Sequence, residues 1–229
     1  MIGCEANFLA GREPERLRKP FFARGHRTGI LGAMGVAALA MLSACGAARP
    51  VKYFTLNPSP MPEPRDVENA RFSAAIVVGR ITANHLYRDD RIVYGTGGVE
   101  LGTYEYNRWA EEPSEMLETM IVQTLRSKTE YRSVARMSSS MRGDYLLRGH
   151  LYSLEEIDNP ALVARFSIAL ELLQIKTNTL VWKQSYTHDE AVPDKKMDAI
   201  VEAMRRNVDN GLNQLTDGID QYFASHPAQ

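Results

Sequence analysis

The sequence predicts an α+β fold, a mixed, mostly antiparallel sheet with two amphipathic helices packed on one face. Short apolar or alternating runs follow one another from Val51 to Tyr186 and are separated by Gly, Pro and Asn turns, as expected for strands. The apolar period lengthens to three or four residues after Pro113 and again after Pro193, as expected for helices. Apolar residues make up 44% of the chain, enough for one domain to bury a core.

Residues 1–44 predict an export signal. Six positively charged side chains precede an apolar run from Ile30 to Leu42, which is shorter than the roughly 20 residues of a membrane-spanning helix. The run ends in Leu42-Ser43-Ala44-Cys45, which resembles the bacterial lipobox. We therefore expect cleavage between Ala44 and Cys45 and acylation of Cys45. The alternative is an apolar helix followed by a chance small-small-Cys sequence.

The stretch before the apolar run is long for a signal and contains three acidic residues. We interpret it as an extended or misassigned start and expect Met1 to about Gly25 to be disordered. Cysteine usage favours acylation, because Cys4 and Cys45 are the two cysteines of the chain and the mature part would keep only Cys45. In enterobacterial lipoproteins an Asp after the acylated cysteine retains the protein at the inner membrane, so Gly46 indicates the outer membrane.

Residues 45–70 predict a lipidated tether that contains one short strand. Val51–Leu56 is prone to form a strand, and four prolines at alternate positions in Asn57–Pro64 favour an extended connector. The globular domain is then predicted over residues 71–225. Removal of residues 1–44 changes Lys+Arg from 27 to 21 and Asp+Glu from 28 to 25, a net charge of 21 − 25 = −4, which disfavours nucleic-acid binding.

The first half of the domain predicts a buried strand, a hairpin and a helix. Arg71–Ile81 is rich in small and β-branched residues, as in a buried strand. Arg91–Tyr94 and Val99–Tyr106 flank the turn Gly95–Gly98 and predict a hairpin. Pro113 is well placed to begin a helix, and apolar residues from Met116 to Leu125 recur on one helix face.

The second half predicts three more strands and a long helix. Tyr131–Arg136 and Asp144–Leu154 are strand-like, and Gly149 suggests a bulge or a close approach of the backbone. Val163–Ile175 has Phe166, Ile168, Leu170 and Leu172 at even positions and Arg165, Ser167 and Glu171 at odd ones, and Leu180–Tyr186 completes a second hairpin. The stripe from Met197 to Phe223 predicts an amphipathic helix of about 28 residues lying across the sheet.

The residue types that carry chemistry show no catalytic or metal-binding spacing. The five histidines have no metal-pair spacing, the glycines at 95–98 lack the Lys-Ser/Thr of a P-loop, and no Gly-x-Ser-x-Gly sequence occurs. The adjacent carboxylates Glu155-Glu156 and Asp89-Asp90 would point to opposite faces of a strand, and we expect them to be solvated. The sequence therefore predicts no enzyme, no metal site and no cofactor. An active site built from scattered residues is the alternative.

Three segments together resemble the ABC-type transport auxiliary lipoprotein family. They are Lys52–Leu56 shortly after the lipidated cysteine, Ile92–Tyr94, and above all the block Tyr104–Pro113 with its Tyr-x-Tyr-x-Arg-Trp-Ala-Glu-x-Pro pattern. The resemblance extends from about Tyr53 to Asp217, and the turn at Gly95–Gly98 departs from it. It implies a small α/β domain on a lipid anchor that works with an ABC transporter and a periplasmic mammalian-cell-entry (MCE) lipid transport protein.

Two functions follow from these observations. In the first, a non-catalytic lipoprotein faces the periplasm at the outer membrane and docks the transport complex through aromatic residues of the Tyr104–Pro113 block. Tyr104, Tyr106, Arg108 and Trp109 are then partner contacts, whereas the alternative for the aromatic residues is packing between strand and helix. In the second, the chain is an anchored envelope hydrolase or a small-ligand-binding lipoprotein with a concave polar pocket. The sequence leaves homo-oligomer formation open.

Overall fold

The computed structural model describes residues 49–56, 68–97, 100–137 and 142–226. Within these ranges eight strands form one sheet and two helices pack on one face of it, which confirms the predicted α+β class. The signal, Ala44, Cys45, the connector Asn57–Pro64 and the loop Ser138–Met141 lie outside the described residues. None of the described helices is both long enough and apolar enough to span a bilayer.

The predicted elements are present, most with ends within a few residues of the expected ones. The two helices are α1, Pro113–Lys128, and α2, Met197–Ser225, and a short 3₁₀ turn covers His85–Tyr87. The strands are β1 Lys52–Phe54, β2 Phe72–Ala83, β3 Arg91–Gly95, β4 Leu101–Trp109, β5 Tyr131–Arg136, β6 Tyr145–Ile157, β7 Val163–Gln174 and β8 Thr179–Ala191. Strand β8 continues five residues past the predicted end at Tyr186, because it pairs along the whole length of β7.

Strand β6 is the centre of the sheet. It pairs in parallel with β2 through its first half and with β3 through its last residues, and it pairs antiparallel with β7 along its length. Strands β5, β4 and β1 extend the sheet beyond β2 and β3, and β8 extends it beyond β7. The longest pairings, β6 with β7 and β7 with β8, are the antiparallel ones.

Strand β7 shows the predicted alternation. Its even-numbered side chains from Phe166 to Leu172 are fully buried in the core that also contains the apolar stripe of α2. Its odd-numbered polar side chains point to the opposite face, which we call the open face. There Arg165 bonds Asp189 at 2.7 Å, and Glu171 bonds Arg148 at 3.0 Å and Lys183 at 2.8 Å.

These open-face ion pairs predict a loss of stability in acid. The hydrogen bond from Lys183, followed by that from Arg148, lowers the pKa of Glu171, and the bond from Arg165 lowers the pKa of Asp189. A carboxyl whose folded pKa is depressed contributes stability above its unfolded pKa, about 3.9 for Asp and 4.3 for Glu, and this contribution is lost as the pH falls through the folded value.

We therefore expect the variant E171Q/D189N to lose less unfolding free energy between pH 6 and pH 3 than the wild type. Urea titrations at both pH values measure this difference. The pair Asp194 and Lys196 provides the control, because D194N removes an ion pair whose side chains are 49% and 77% exposed. Identical losses in the wild type and in E171Q/D189N would contradict the prediction.

Helix α2 is fixed to the sheet by a polar residue within its apolar stripe. Asn207 is fully buried, and its side-chain amide donates to the carbonyl oxygens of Ala164 and His188, both at 2.8 Å. Its side-chain oxygen accepts from the Tyr186 hydroxyl at 2.9 Å. Glycine at position 211 allows the same close approach, since a Cβ there would lie 2.7 Å from the Tyr186 ring. These contacts therefore fix both the rotation of helix α2 about its own axis and its position along strands β7 and β8.

Gly149 of β6 marks the predicted close approach of the backbone. A Cβ at this position would lie 2.6 Å from the Leu170 side chain and 2.8 Å from the Ala169 carbonyl oxygen. Both atoms belong to the neighbouring strand β7, and the backbone oxygen cannot move without disturbing the pairing. The sequence interpretation of this glycine is confirmed by the lack of space around it.

Candidate functional site

The block Tyr104–Pro113 leads from strand β4 into helix α1 and holds three parts of the fold together. The Trp109 backbone N–H donates to the Asp90 carbonyl oxygen at 2.5 Å, and the Ala110 N–H donates to Phe54 of β1 at 2.7 Å. Pro113 is the first residue of α1, where its missing N–H costs no helical bond. The block therefore joins the edge strand β1, the segment before β3 and the first helix.

The four candidate contact residues of this block lie in different environments. Trp109 is 1% exposed and belongs to the core, which favours the packing interpretation for this residue. Arg108 forms an ion pair with Asp90 at 2.7 Å. Tyr106 is partly exposed and lies under the guanidinium of Arg49, 5.3 Å from the ring centroid. Of the three aromatic residues, Tyr106 therefore has the side chain best placed for a contact.

Tyr104, the fourth of these residues, is half-buried and bound to a carboxylate. Its hydroxyl donates to Oε2 of Glu156 at 2.5 Å, and its ring lies 4.9 Å from that of Tyr94. Burial, followed by the bond to Glu156, raises the pKa of the Tyr104 hydroxyl. The phenol therefore stays protonated and continues to donate. This contact binds β4 to the central strand β6.

The adjacent carboxylates Glu155 and Glu156 correct the expectation that they are solvated. They are 6% and 2% exposed, and they point to opposite faces of β6. Glu155 accepts from the Tyr87 hydroxyl at 2.6 Å, and burial together with this bond raises the pKa of Tyr87. The two tyrosines are 68 and 52 residues away from their carboxylates in the chain. The local sequence therefore gave no signal of either bond.

The geometry of Glu155 and Glu156 suits a structural role better than a catalytic one. Because the two carboxylates point to opposite faces, they cannot act as acid and base on one substrate. Each is bonded to a phenol that holds a neighbouring segment, the 3₁₀ turn in one case and β4 in the other. The arrangement gives one buried and one partly buried hydrogen bond, which hold the segments around β6 in place.

A groove of about 640 Å³ runs between strand β2 and the start of helix α1. Strand β5 pairs with β2 only as far as Val78, and among the residues that the structure describes no strand pairs with the following edge of β2. Side chains bond this edge instead: Glu118 accepts from the Ile81 N–H at 2.9 Å, and Arg88 donates to the Ala83 carbonyl oxygen at 2.7 Å. Arg136 completes the arrangement with a 2.7 Å ion pair to Glu118.

A second, shallower depression of about 490 Å³ lies on the open face. It is lined by the Arg165–Asp189 pair and by hydroxyl groups, of which Ser167 and Thr187 bond each other at 2.7 Å. Glu118, Arg88 and Arg136 in the groove, and Arg165 and Asp189 in the depression, are thus engaged with protein partners. Within the described ranges, no cluster of three or more His, Cys, Asp or Glu side chains could hold a metal ion.

Comparison with known proteins identifies the family. A family model described as the ABC-type transport auxiliary lipoprotein component matches residues 54–217. The chain belongs to this family. The match starts at the last residue of β1 and ends within α2, and it confirms the resemblance carried by the Tyr104–Pro113 block. Members of the ABC-type transport auxiliary lipoprotein family are membrane-anchored components associated with ABC transport systems.

Solved structures share the fold of this auxiliary lipoprotein. A Xanthomonas campestris protein of the DUF330 family superposes with a TM-score of 0.61 at 18% identity, covering 72% of this chain and 92% of that one. An uncharacterised protein superposes with a TM-score of 0.57 at 14% identity, covering 75% and 99%. At these identities the likeness concerns the fold alone. No curated protein shows significant sequence similarity to the chain.

Proposed function

We propose that this auxiliary lipoprotein is a non-catalytic subunit, anchored through Cys45 to the periplasmic side of the outer membrane, that docks an MCE-type ABC transport system. Its role is to support the passage of lipid or of related apolar compounds across the envelope. The observation that carries the proposal is the family match beginning at residue 54, nine residues after the cysteine of the lipobox-like sequence. The fold then needs to supply only a rigid body and a contact surface.

The engagement of the polar groups supports the non-catalytic part of this proposal over an anchored hydrolase or a small-ligand-binding lipoprotein. Glu118 in the larger groove and Asp189 in the smaller depression both bond arginine side chains. Glu155 and Glu156 hold structural tyrosines. A hydrolase would need convergent polar groups free to meet a substrate. Here these groups stabilise the sheet.

Co-purification from the native membrane tests the function. The full-length protein with a C-terminal tag is extracted in mild detergent after cross-linking, and its partners are identified by mass spectrometry. We expect an MCE protein together with the permease and ATPase of one transporter. Genes for these three proteins beside the gene for this chain would agree with that result. Recovery of the chain without any transporter component would contradict the docking proposal.

Tyr106→Ala and Trp109→Ala are expected to separate docking from folding. Trp109 is buried, so its truncation is expected to lower the free energy of unfolding by about 3–5 kcal/mol. Tyr106 is partly exposed, so its truncation is expected to change stability by less than about 0.5 kcal/mol. If Tyr106 is a partner contact, its loss weakens docking by about 1–2 kcal/mol, roughly tenfold. Thermal unfolding and binding to the purified transporter measure the two effects.

The matched control for Tyr106 is Tyr152→Ala. Tyr152 is an exposed tyrosine on a different strand, β6. This variant is expected to keep both stability and docking. If Tyr106→Ala and Tyr152→Ala bind the transporter equally well, Tyr106 is not a partner contact. If Tyr106→Ala instead unfolds as readily as Trp109→Ala, its role is packing.

A further inference from the structure

The pairing registers define two ends of the sheet. At one end Gly95, Leu101, Ile157, Val163 and Ala191 are joined by successive cross-strand pairs, and we call this the β3–β4 end. At the other end Gln174 pairs with Thr179 beside the turn that begins at Ile175, and we call this the β7–β8 end. Strand β7 has 12 residues, so the two ends are about 40 Å apart.

The chain before β1 leads toward the β3–β4 end. Strand β1 runs parallel to β4, with Lys52 opposite Asn107, so residues that precede Lys52 lie on the side of Leu101. Arg49 agrees with this direction, because its guanidinium lies over the ring of Tyr106. Four peptide steps join Cys45 to Arg49, and a fully extended chain of that length spans at most about 14 Å.

The distance from Tyr106, beneath Arg49, to Leu101 is comparable with the length of this tether. Tyr106 and Leu101 are five residues apart on β4, which corresponds to about 17 Å along the strand. Because the chain before β1 leads toward the β3–β4 end, an extended tether brings an acylated Cys45 closer to that end than to the β7–β8 end. The covalent chain alone thus favours one end of the sheet as the end nearer the lipid.

The β3–β4 end also exposes side chains suited to a lipid interface. Leu101 is 42% exposed and Tyr94 is 37% exposed, and the ring of Tyr94 packs across Gly102, the neighbour of Leu101. A tyrosine with an apolar body and a polar tip is typical of the headgroup region. The nearby Lys195 is neutralised by Asp158 at 2.5 Å. The contact offered by Tyr94 and Leu101 is therefore apolar and aromatic.

We propose that the β3–β4 end faces the lipid surface that holds Cys45, with Tyr94 and Leu101 at the level of the headgroups. The β7–β8 end then points away from that surface and projects about 40 Å from it. This orientation rests on the lipid anchor of the proposed function. It places Tyr106 on the side of the domain, about 17 Å from the lipid-facing end, where a periplasmic partner has access.

Single fluorescent labels on the mature lipoprotein test the orientation. After cleavage the chain has no cysteine other than Cys45, whose sulfur is blocked by acylation, so an introduced cysteine is the one reactive thiol. L101C and I175C are a matched pair, because the replaced side chains are 42% and 46% exposed at opposite ends of the sheet. Each acylated variant is labelled, inserted into phosphatidylcholine vesicles and titrated with headgroup spin-labelled phosphatidylcholine, which quenches a fluorophore near the surface.

We expect the label at position 101 to be quenched at least about threefold more strongly than the label at position 175, as required of a group at the headgroup level. Vesicle flotation and mass spectrometry of each variant report anchoring separately. Equal quenching, or stronger quenching at position 175, in protein that floats and carries acyl chains would overturn the orientation and leave the anchor intact. Protein that neither floats nor carries acyl chains would overturn both.

Discussion

Cys45→Ala is expected to remove the protein from the outer-membrane fraction and to abolish its support of transport, while the domain remains folded. Each buried acyl methylene contributes about 0.8 kcal/mol to membrane binding, so loss of the two or three chains removes the whole anchoring energy. The family match starts after this residue, at position 54, and the first strand begins at Lys52. The variant chain is therefore expected to be soluble or to retain its signal. The circular dichroism spectrum of its folded domain is expected to match that of the wild type.

Gly46→Asp is the matched control, since it changes the neighbouring residue and leaves the acylated cysteine in place. In an enterobacterial host we expect this variant to stay lipidated and to move to the inner membrane. Fractionation, complementation of a deletion strain and mass spectrometry of the N-terminus distinguish the two variants. A Cys45→Ala protein that fractionates with the outer membrane like the wild type would show that the anchor is not at this cysteine.

Asn207→Asp is expected to lower the free energy of unfolding by about 3–5 kcal/mol. The substitution replaces the side-chain NH₂, which donates to the carbonyl oxygens of Ala164 and His188, with a carboxylate oxygen that repels both. Because position 207 is fully buried, water cannot compensate for the lost bonds. Helix α2 would then have to shift on strands β7 and β8, although Gly211 allows little movement against the Tyr186 ring.

Chemical unfolding at pH 7 measures this loss. Asn213→Asp makes the same chemical change at an exposed position of the same helix and is expected to stay within about 0.5 kcal/mol of the wild type. Tyr186→Phe removes only the hydroxyl that bonds the Asn207 side-chain oxygen, and we expect an intermediate loss of about 1 kcal/mol. If the Asp variants at positions 207 and 213 unfold at the same denaturant concentration, the buried amide does not fix the helix.

The fold was predictable where a local pattern reports burial. The alternation of β7 and the stripe of α2 both reflect a single apolar face, and each is found as predicted. The hairpin of β3 and β4 follows from a glycine turn between two short strands. The branching of the sheet, with β2 and β3 sharing one edge of β6, could not be predicted, because it depends on the register between distant strands.

The candidate site was predictable only in part, for the same physical reason. The Tyr104–Pro113 block was recognised by its residues, but whether Trp109 faces solvent or core depends on elements that pack against it from elsewhere in the chain. Glu155 and Glu156 have the composition of a solvated pair, but they are buried and bond tyrosines far away in the sequence. Asn207 is a polar residue within the apolar stripe of α2, and this position in the stripe was the available signal of a polar contact.

The side chains that occupy the edge of β2 also protect the protein from aggregation. An exposed strand edge is a template on which a second copy can add a strand and begin a fibre. Here the Ile81 N–H is held by Glu118 and the Ala83 carbonyl oxygen by Arg88, so an incoming strand must first break two bonds to charged groups. Lipoproteins confined to a bilayer meet one another at high local density. This edge therefore resists self-association under the conditions in which the protein is most concentrated.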